Sequence, residues 1–202
     1  MKIILVRHGT TNWSLSGRHT GLTDIPLNDS GINQAKLLKS TIVSVLSEDL
    51  ASISVFSSPL RRAYATAKLA TGLSSDKIAI SDELREYNYG KYEGLTPFEI
   101  RQIRSDWDIW DHGCPGGESI EDVGKRAQSF LNQIADEPKP VLVFAHGHII
   151  RVISAIAIGL TAPMGKIFTL DTSAISIIDN VRGKHVIKLW NYYPALVSSK
   201  NE

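Results

Sequence analysis

Ile3-Ile4-Leu5-Val6-Arg7-His8-Gly9 sets four apolar residues, three of them β-branched, directly before two basic side chains and a glycine. A continuous apolar run of this kind marks a strand covered on both faces, as in a parallel sheet between helical layers. Similar runs stand at Ser52 to Phe56 and Val141 to Ala145, with a shorter strand expected at Lys77 to Ile80. Helical patterns alternate with them. Asp29 to Leu46 carries apolar Ile32, Ala35, Leu38, Ile42, Val45 and Leu46 at helical spacing, with Asp29 or Ser30 as the capping candidate. Leu60 to Thr71, Ile120 to Ala135 and Ile149 to Leu160 read the same way. The alternation predicts an α/β fold, a three-layer sandwich with a mostly parallel central sheet. Near the end, Ser176 to Asp179 and His185 to Trp190 flank Asn180-Val-Arg-Gly183, an antiparallel hairpin at the sheet edge.

Residues 85–118 break this rhythm with aromatics, mixed charges and the turn-rich Gly113-Cys-Pro-Gly-Gly117. They read as a lid-like excursion or side wall over the end of the sheet. The 202 residues, 43% hydrophobic and 21% charged, are enough for one substantial core, so a single domain over 1–202 is expected. Lys and Arg number 22 against 21 Asp and Glu, so no overall field draws the chain to nucleic acid or an anionic membrane. Any preference for anions must be local.

One cysteine, Cys114, forms no internal disulfide. The apolar run before Arg7 is too short for a secretory signal, and Val152 to Leu160 falls far below the roughly 20 residues of a span. These features make a cytoplasmic protein the expectation.

Ligands of open α/β sheets collect beyond the carboxyl ends of the strands. Arg7-His8-Gly9 and His146-Gly147-His148 each follow a buried strand, and Ser57-Ser-Pro-Leu-Arg-Arg62 follows a third. If those strands are neighbours, two histidines and at least two arginines share one volume. Guanidinium forks match phosphoryl oxygens, and a neutral imidazole can carry the phosphoryl group covalently. A second, protonated histidine would offset charge on the equatorial oxygens. Glu86 then supplies the missing proton donor for the leaving oxygen.

Leu5-Val-Arg-His-Gly9, Thr20-Gly21, Ser58-Pro-Leu-Arg-Arg-Ala63, Leu84-Arg-Glu86 with Tyr89-Gly90, and Ala145-His-Gly147 resemble, in order, the signature of the histidine phosphatase (phosphoglycerate-mutase-like) superfamily. The resemblance runs from residue 3 to about 160. It implies His8 as phosphorylated nucleophile, Arg7 and Arg62 as phosphoryl ligands, His146 completing the pocket, and Glu86 as proton donor. Arg62 is preferred to Arg61 because the family's arginine stands directly before the alanine, here Ala63. The resemblance also implies no metal and no dissociable cofactor. Ser16-Gly-Arg-His-Thr-Gly21, Trp107-Asp-Ile-Trp110 with Gly113-Cys114, and Phe144-Ala-His-Gly-His148 are most similar to the sedoheptulose-bisphosphatase-like branch and its bacterial relatives.

Around this centre, Thr20 and Gly21 with His19 are expected at the mouth, and Gly147 beside the phosphoryl group. His148 either touches substrate or caps the following helix. Tyr89, with Tyr87, Trp13, Trp107 and Trp110, either walls a sugar pocket or packs in the core. Arg18, Lys91, Arg101 and Arg104 read first as surface charges, with a second phosphate site as the alternative. His112, His185 and Cys114 read as structural or incidental.

Mutases carry Glu or Gln where this chain has Thr10, Asn where it has Ser14, and Lys where it has Pro97. They also pair arginines where Arg101 and Arg104 stand apart. These departures favour water as acceptor. The expected activity is hydrolysis of a small phosphorylated metabolite, a sugar phosphate or bisphosphate. A cofactor-dependent phosphoglycerate mutase and a non-catalytic phospho-ligand module are the alternatives, and a lid of about 30 residues disfavours protein substrates. The C-terminal hairpin either joins a homodimer or simply closes the sheet.

Overall fold

The structure, a computed structural model, describes residues 1–46 and 50–193; residues 47–49 and 194–202, the side chains of Val45 and Leu46 expected on the helix face, and that of Ala51 lie outside the description. Six strands form one sheet in the order β3-β2-β4-β1-β5-β6: β1 Ile3–Arg7, β2 Ser54–Ser57, β3 Ala79–Ile80, β4 Val141–Ala145, β5 Ile175–Val181 and β6 Lys184–Tyr192. The first four are parallel; β5 and β6 are antiparallel additions. The β5–β6 turn is the expected hairpin, narrowed to Arg182-Gly183 with φ 53° and 81°, a pair of left-handed residues that matches strand twist.

Alternation within β1 explains its unbroken apolar run. Ile3 and Leu5 face one layer, with Val141, Val143 and Phe56, against α6 (Ile120–Gln133) and α7 (Gly147–Ala157). Ile4 and Val6 face the other, with Leu142 and Phe144, against α2 (Asp29–Leu46) and α3 (Arg61–Thr71). Both faces are dry, so no polar residue is tolerated between Ile3 and Val6.

Several boundaries shift. A 3-10 turn over Leu50–Ser52 delays β2, and another over Ser75–Lys77 shortens β3 to two residues. Asn28, rather than Asp29 or Ser30, caps α2: its Oδ1 accepts from Gly31 N at 2.9 Å. α7 starts at Gly147, directly after His146, rather than at Ile149.

Of the two forms expected for residues 85–118, the structure shows a side wall. Tyr87, Tyr89, Tyr92, Trp107 and Trp110 are buried in the same core as α6 and α7. Pro97 occupies the first turn of a short helix, Pro97–Ile103, whose Thr96–Glu99 capping box needs no N–H there. No helix among the described residues is long and apolar enough to cross a membrane.

Candidate active site

β1 and β4 pair in register, Arg7 opposite Ala145, so His8 and His146 emerge side by side, ring centroids 5.1 Å apart. Ser57 pairs with Phe144, which brings Ser58 and the start of α3 to the same end. Three separated motifs thus meet because their strands are neighbours.

His8 lines a cavity of about 180 Å³ together with Arg7, Glu86, Tyr89, Gly147 and His148. Its Nδ1 lies 2.7 Å from the Gly9 carbonyl, which can only accept, so Nδ1 carries the hydrogen and Nε2 the lone pair. Burial, then the charges of Arg62 and Arg7, hold the His8 pKa well below its ordinary value. The ring is therefore neutral at physiological pH, as a nitrogen nucleophile requires. Gly9 N donates to Thr66 Oγ1 at 3.1 Å, which pins the motif's glycine to α3.

Arg7 sits across the first turn of α7. A Cβ on Gly147 would lie at van der Waals distance, 3.4 Å, from the Arg7 guanidinium carbon, which places the cation against the helix N-terminus. Its Nη1 donates to Leu170 O, while Nε is buried without any acceptor among the described residues. An unpaired buried donor on a permanent cation beside a helix N-terminus is a site for an anion.

Glu86 caps that same helix. Its carboxylate accepts from Tyr87 N, His148 N and Ile149 N, each at 3.0 Å. His148 therefore does not cap α7. It lines the cavity, and its Nδ1 bonds Tyr89 Oη at 2.8 Å. Burial raises the Tyr89 pKa well above ordinary, so Tyr89 keeps its proton.

Arg62 and His146 stand beside His8 but are absent from the cavity lining. Arg62 is fully buried and donates from Nε to His146 Nδ1 at 3.1 Å, from Nη1 to Thr23 O, and from Nη2 to Thr20 O and Gly21 O. Four of its five N–H groups are thus committed to the protein. Because Arg62 Nε only donates, His146 Nδ1 carries a lone pair, and Nε2 faces Ser58 Oγ at 2.8 Å. Burial and the Arg62 charge push the His146 pKa well below ordinary. The protonated second histidine expected from the sequence is corrected: His146 is neutral.

The remaining expected residues divide. Thr20 lines the cavity; Gly21 does not, and instead offers its carbonyl to Arg62. A Cβ on Gly21 would meet Tyr87 O at 2.4 Å, so only glycine lets this loop press against the side wall. Ser14, Arg18 and His19 line the mouth, whereas Lys91, Arg101 and Arg104 lie off it. Thr10 turns inward to Gln34. Tyr87, Trp107 and Trp110 pack in the core, and Trp13 lies against Gly94. Burial raises the Cys114 thiol to about 12, which leaves it unreactive. Arg151, on the cavity wall, is the residue the sequence reading passed over, although it follows Gly147 at i+4 on α7.

Comparison with known proteins agrees with this geometry. The family model "Histidine phosphatase superfamily (branch 1)" matches residues 3–193. An acid phosphatase of Mycobacterium tuberculosis is 39% identical over 178 residues, covering 87% of this chain and 85% of that protein. A sedoheptulose 1,7-bisphosphatase of Saccharomyces cerevisiae is 34% identical over 185 residues, covering 79% of this chain and 68% of that protein. Among solved structures, the product of a Mycobacterium tuberculosis open reading frame superposes with a TM-score of 0.87 at 36% identity, over 95% of this chain and 97% of that one. The fold, the family model and these relatives agree, and the chain belongs to the histidine phosphatase superfamily, branch 1.

Proposed function

We propose that this chain is a metal-independent phosphomonoesterase that works through a phosphohistidine on His8, with small phosphorylated metabolites, sugar phosphates or bisphosphates, as its substrates. The phosphatase-named relatives support hydrolysis as the reaction class. One observation carries the mechanism: a neutral His8, its proton tied at Nδ1 and its lone pair at Nε2, lines a cavity together with Arg7.

The phosphoryl group docks against Arg7 and the first turn of α7. His8 Nε2 attacks in line; the N–P bond forms as the P–O bond to the alcohol breaks, and Glu86 passes a proton to the departing oxygen. The Nδ1–H stays on the Gly9 carbonyl, which stabilises the positive charge that spreads over the ring. Water then attacks phosphorus, Glu86 takes its proton, and the P–N bond breaks to release phosphate. Arg62 acts from behind, orienting His146 and adding fixed positive charge.

The test is phosphate release from an aryl phosphate and a panel of phosphorylated metabolites, with His8→Ala as the blank. Loss of at least about a thousandfold in kcat is expected, since the covalent route disappears. Retained turnover in a folded His8→Ala protein would sink the proposal.

A further inference from the structure

Glu86 is held both by its carboxylate and by its main chain. The carboxylate rests on the first turn of α7: Oε1 accepts from Tyr87 N and Ile149 N and Oε2 from His148 N, each at 3.0 Å. Oε2, with one such bond, keeps a lone pair for a proton. The main chain is gripped from α6. Arg126 donates from Nη1 to Glu83 O at 2.8 Å and to Arg85 O at 3.0 Å, and from Nη2 to Glu86 O at 3.4 Å. The rest of its guanidinium meets Glu118 as a fork, Nε to Oε1 at 2.6 Å and Nη2 to Oε2 at 2.9 Å. All five N–H groups of Arg126 are thus committed. Glu118 Oε2 also accepts from Asn88 N at 2.8 Å, so the pair takes hold of the chain on both sides of the Glu86 side chain.

This arrangement is built. A Cβ on Gly117 would meet Asn88 O at 2.1 Å, and one on Gly90 would meet Gly117 N at 2.4 Å, so only glycine lets the Glu118 segment lie this close to the Glu86 loop. The ion pair is bidentate, with side chains only 21% and 20% exposed, which gives it a fixed geometry that a solvated surface pair lacks. α6, which carries Arg126, packs against α7, which receives the carboxylate. One pair of helices therefore sets both the backbone and the tip of Glu86. Neither Arg126 nor Glu118 lines the cavity, so neither meets substrate.

We infer that Arg126, locked to Glu118, is a positioning residue that fixes the main chain around Glu86 and so keeps its carboxyl where proton transfer needs it. The proton leaves from Oε2 to the alcohol oxygen in the first step and returns there from water in the second. A general acid works only within hydrogen-bond reach of its oxygen, so slack in the loop passes directly into the barrier. The inference rests on the phosphatase reading for its chemistry, but hydrogen exchange tests it without turnover.

Arg126→Gln, Arg126→Lys and, as the reference, Glu86→Gln are compared with the wild type. kcat/KM is measured on phenyl phosphate, whose leaving oxygen needs a proton, and on 2,4-dinitrophenyl phosphate, whose leaving group departs as a stable anion. Arg126→Gln should lose about 10- to 100-fold on phenyl phosphate and less than about threefold on the dinitrophenyl ester, a part of what a general acid supplies. Arg126→Lys should fall between, because the charge returns without the fork. If Arg126→Gln does not fold, Glu118→Gln, which removes the charge and keeps the shape, takes its place with the same expected bias. A role in stability alone lowers both substrates by one factor, and that result overturns the inference. In NMR-detected hydrogen exchange, the His148 and Ile149 amides should exchange at least about tenfold faster in Arg126→Gln, with the interior amides of α7 unchanged. Unaltered exchange at those two amides also overturns it. Faster exchange there, with no phosphate release by the wild type or no leaving-group bias in Glu86→Gln, faults the phosphatase reading instead.

Discussion

Replacing His19 by Phe should flatten the acid dependence of stability. His19 sits in an aromatic stack, its ring 4.5 Å from Tyr89 and 5.5 Å from Trp107, and burial lowers its pKa from 6.5 to about 4. The folded protein thus refuses a proton that the unfolded chain accepts. The stabilisation is complete above pH 6.5 and is lost as pH falls from 6.5 toward 4. At pH 5 the unfolded histidine gains about 1.5 pH units of proton binding that the folded one does not, worth about 2 kcal/mol at ~1.36 kcal/mol per unit. Phe keeps the planar stacking surface and removes the titration. Urea unfolding, followed by tryptophan fluorescence at pH 7.5 and pH 5, measures both proteins. Burial also lowers His8, His146 and His148, but they are common to both proteins and cancel in the comparison. The variant should therefore gain about 2 kcal/mol on the wild type between the two pH values, well above the scatter of such fits. A relative gain below about 0.5 kcal/mol, or a loss, would show that His19 is not held neutral and refute the reasoning.

Two further outcomes follow from the same structure. The kcat/KM profile on an aryl phosphate, with the substrate's own ionisation divided out, should show no break as pH falls from 7.5 through 6.5, because His8 stays neutral; a tenfold loss per unit starting at 6.5 would mean that His8 titrates as a free histidine. Gly31→Ala places a Cβ 2.1 Å from Thr10 O and 2.8 Å from Thr10 N, backbone that cannot swing aside. The clash should cost about 1–3 kcal/mol and lower Tm by several degrees in a thermal melt. An unchanged Tm would show that the loop after β1 tolerates displacement.

The legible parts were those written in short range. β1 and β4 stood out because two helical layers leave no polar residue between Ile3 and Val6 or between Val141 and Ala145, and their terminal words then placed His8 and His146 together. The side wall was legible only as one of two alternatives, because aromatics among mixed charges fit a pocket wall or a core equally well; the fold places Tyr87, Trp107 and Trp110 in the core with α6 and α7. Asn28 was missed as a cap because Asp29 and Ser30, equally good cap residues, follow it and compete in any local reading. Arg151 was missed because a lone arginine on a helix is usually solvated. Its place on the cavity wall is held by a contact between distant parts of the sequence, with its guanidinium carbon 4.4 Å from the Trp110 ring centroid.

The misjudged protonation of His146 points to how the centre is charged. Binding phosphate requires positive potential, and a nitrogen nucleophile requires a neutral ring; a protonated histidine pair would provide the first at the cost of the second. Here the potential comes from Arg7 and Arg62, whose guanidinium groups stay charged at any pH the protein meets. Their proximity, with burial, then keeps protons off both rings. Burying Arg62 fully would be prohibitive without acceptors, and Thr20 O, Gly21 O, Thr23 O and His146 Nδ1 provide them. The Thr20-Gly21 motif thus has a reason beyond the mouth: its carbonyls solvate the cation that, with burial, keeps His8 neutral. An arginine is the better source of charge because its field does not titrate, so substrate affinity and nucleophile availability need not oppose each other as pH falls.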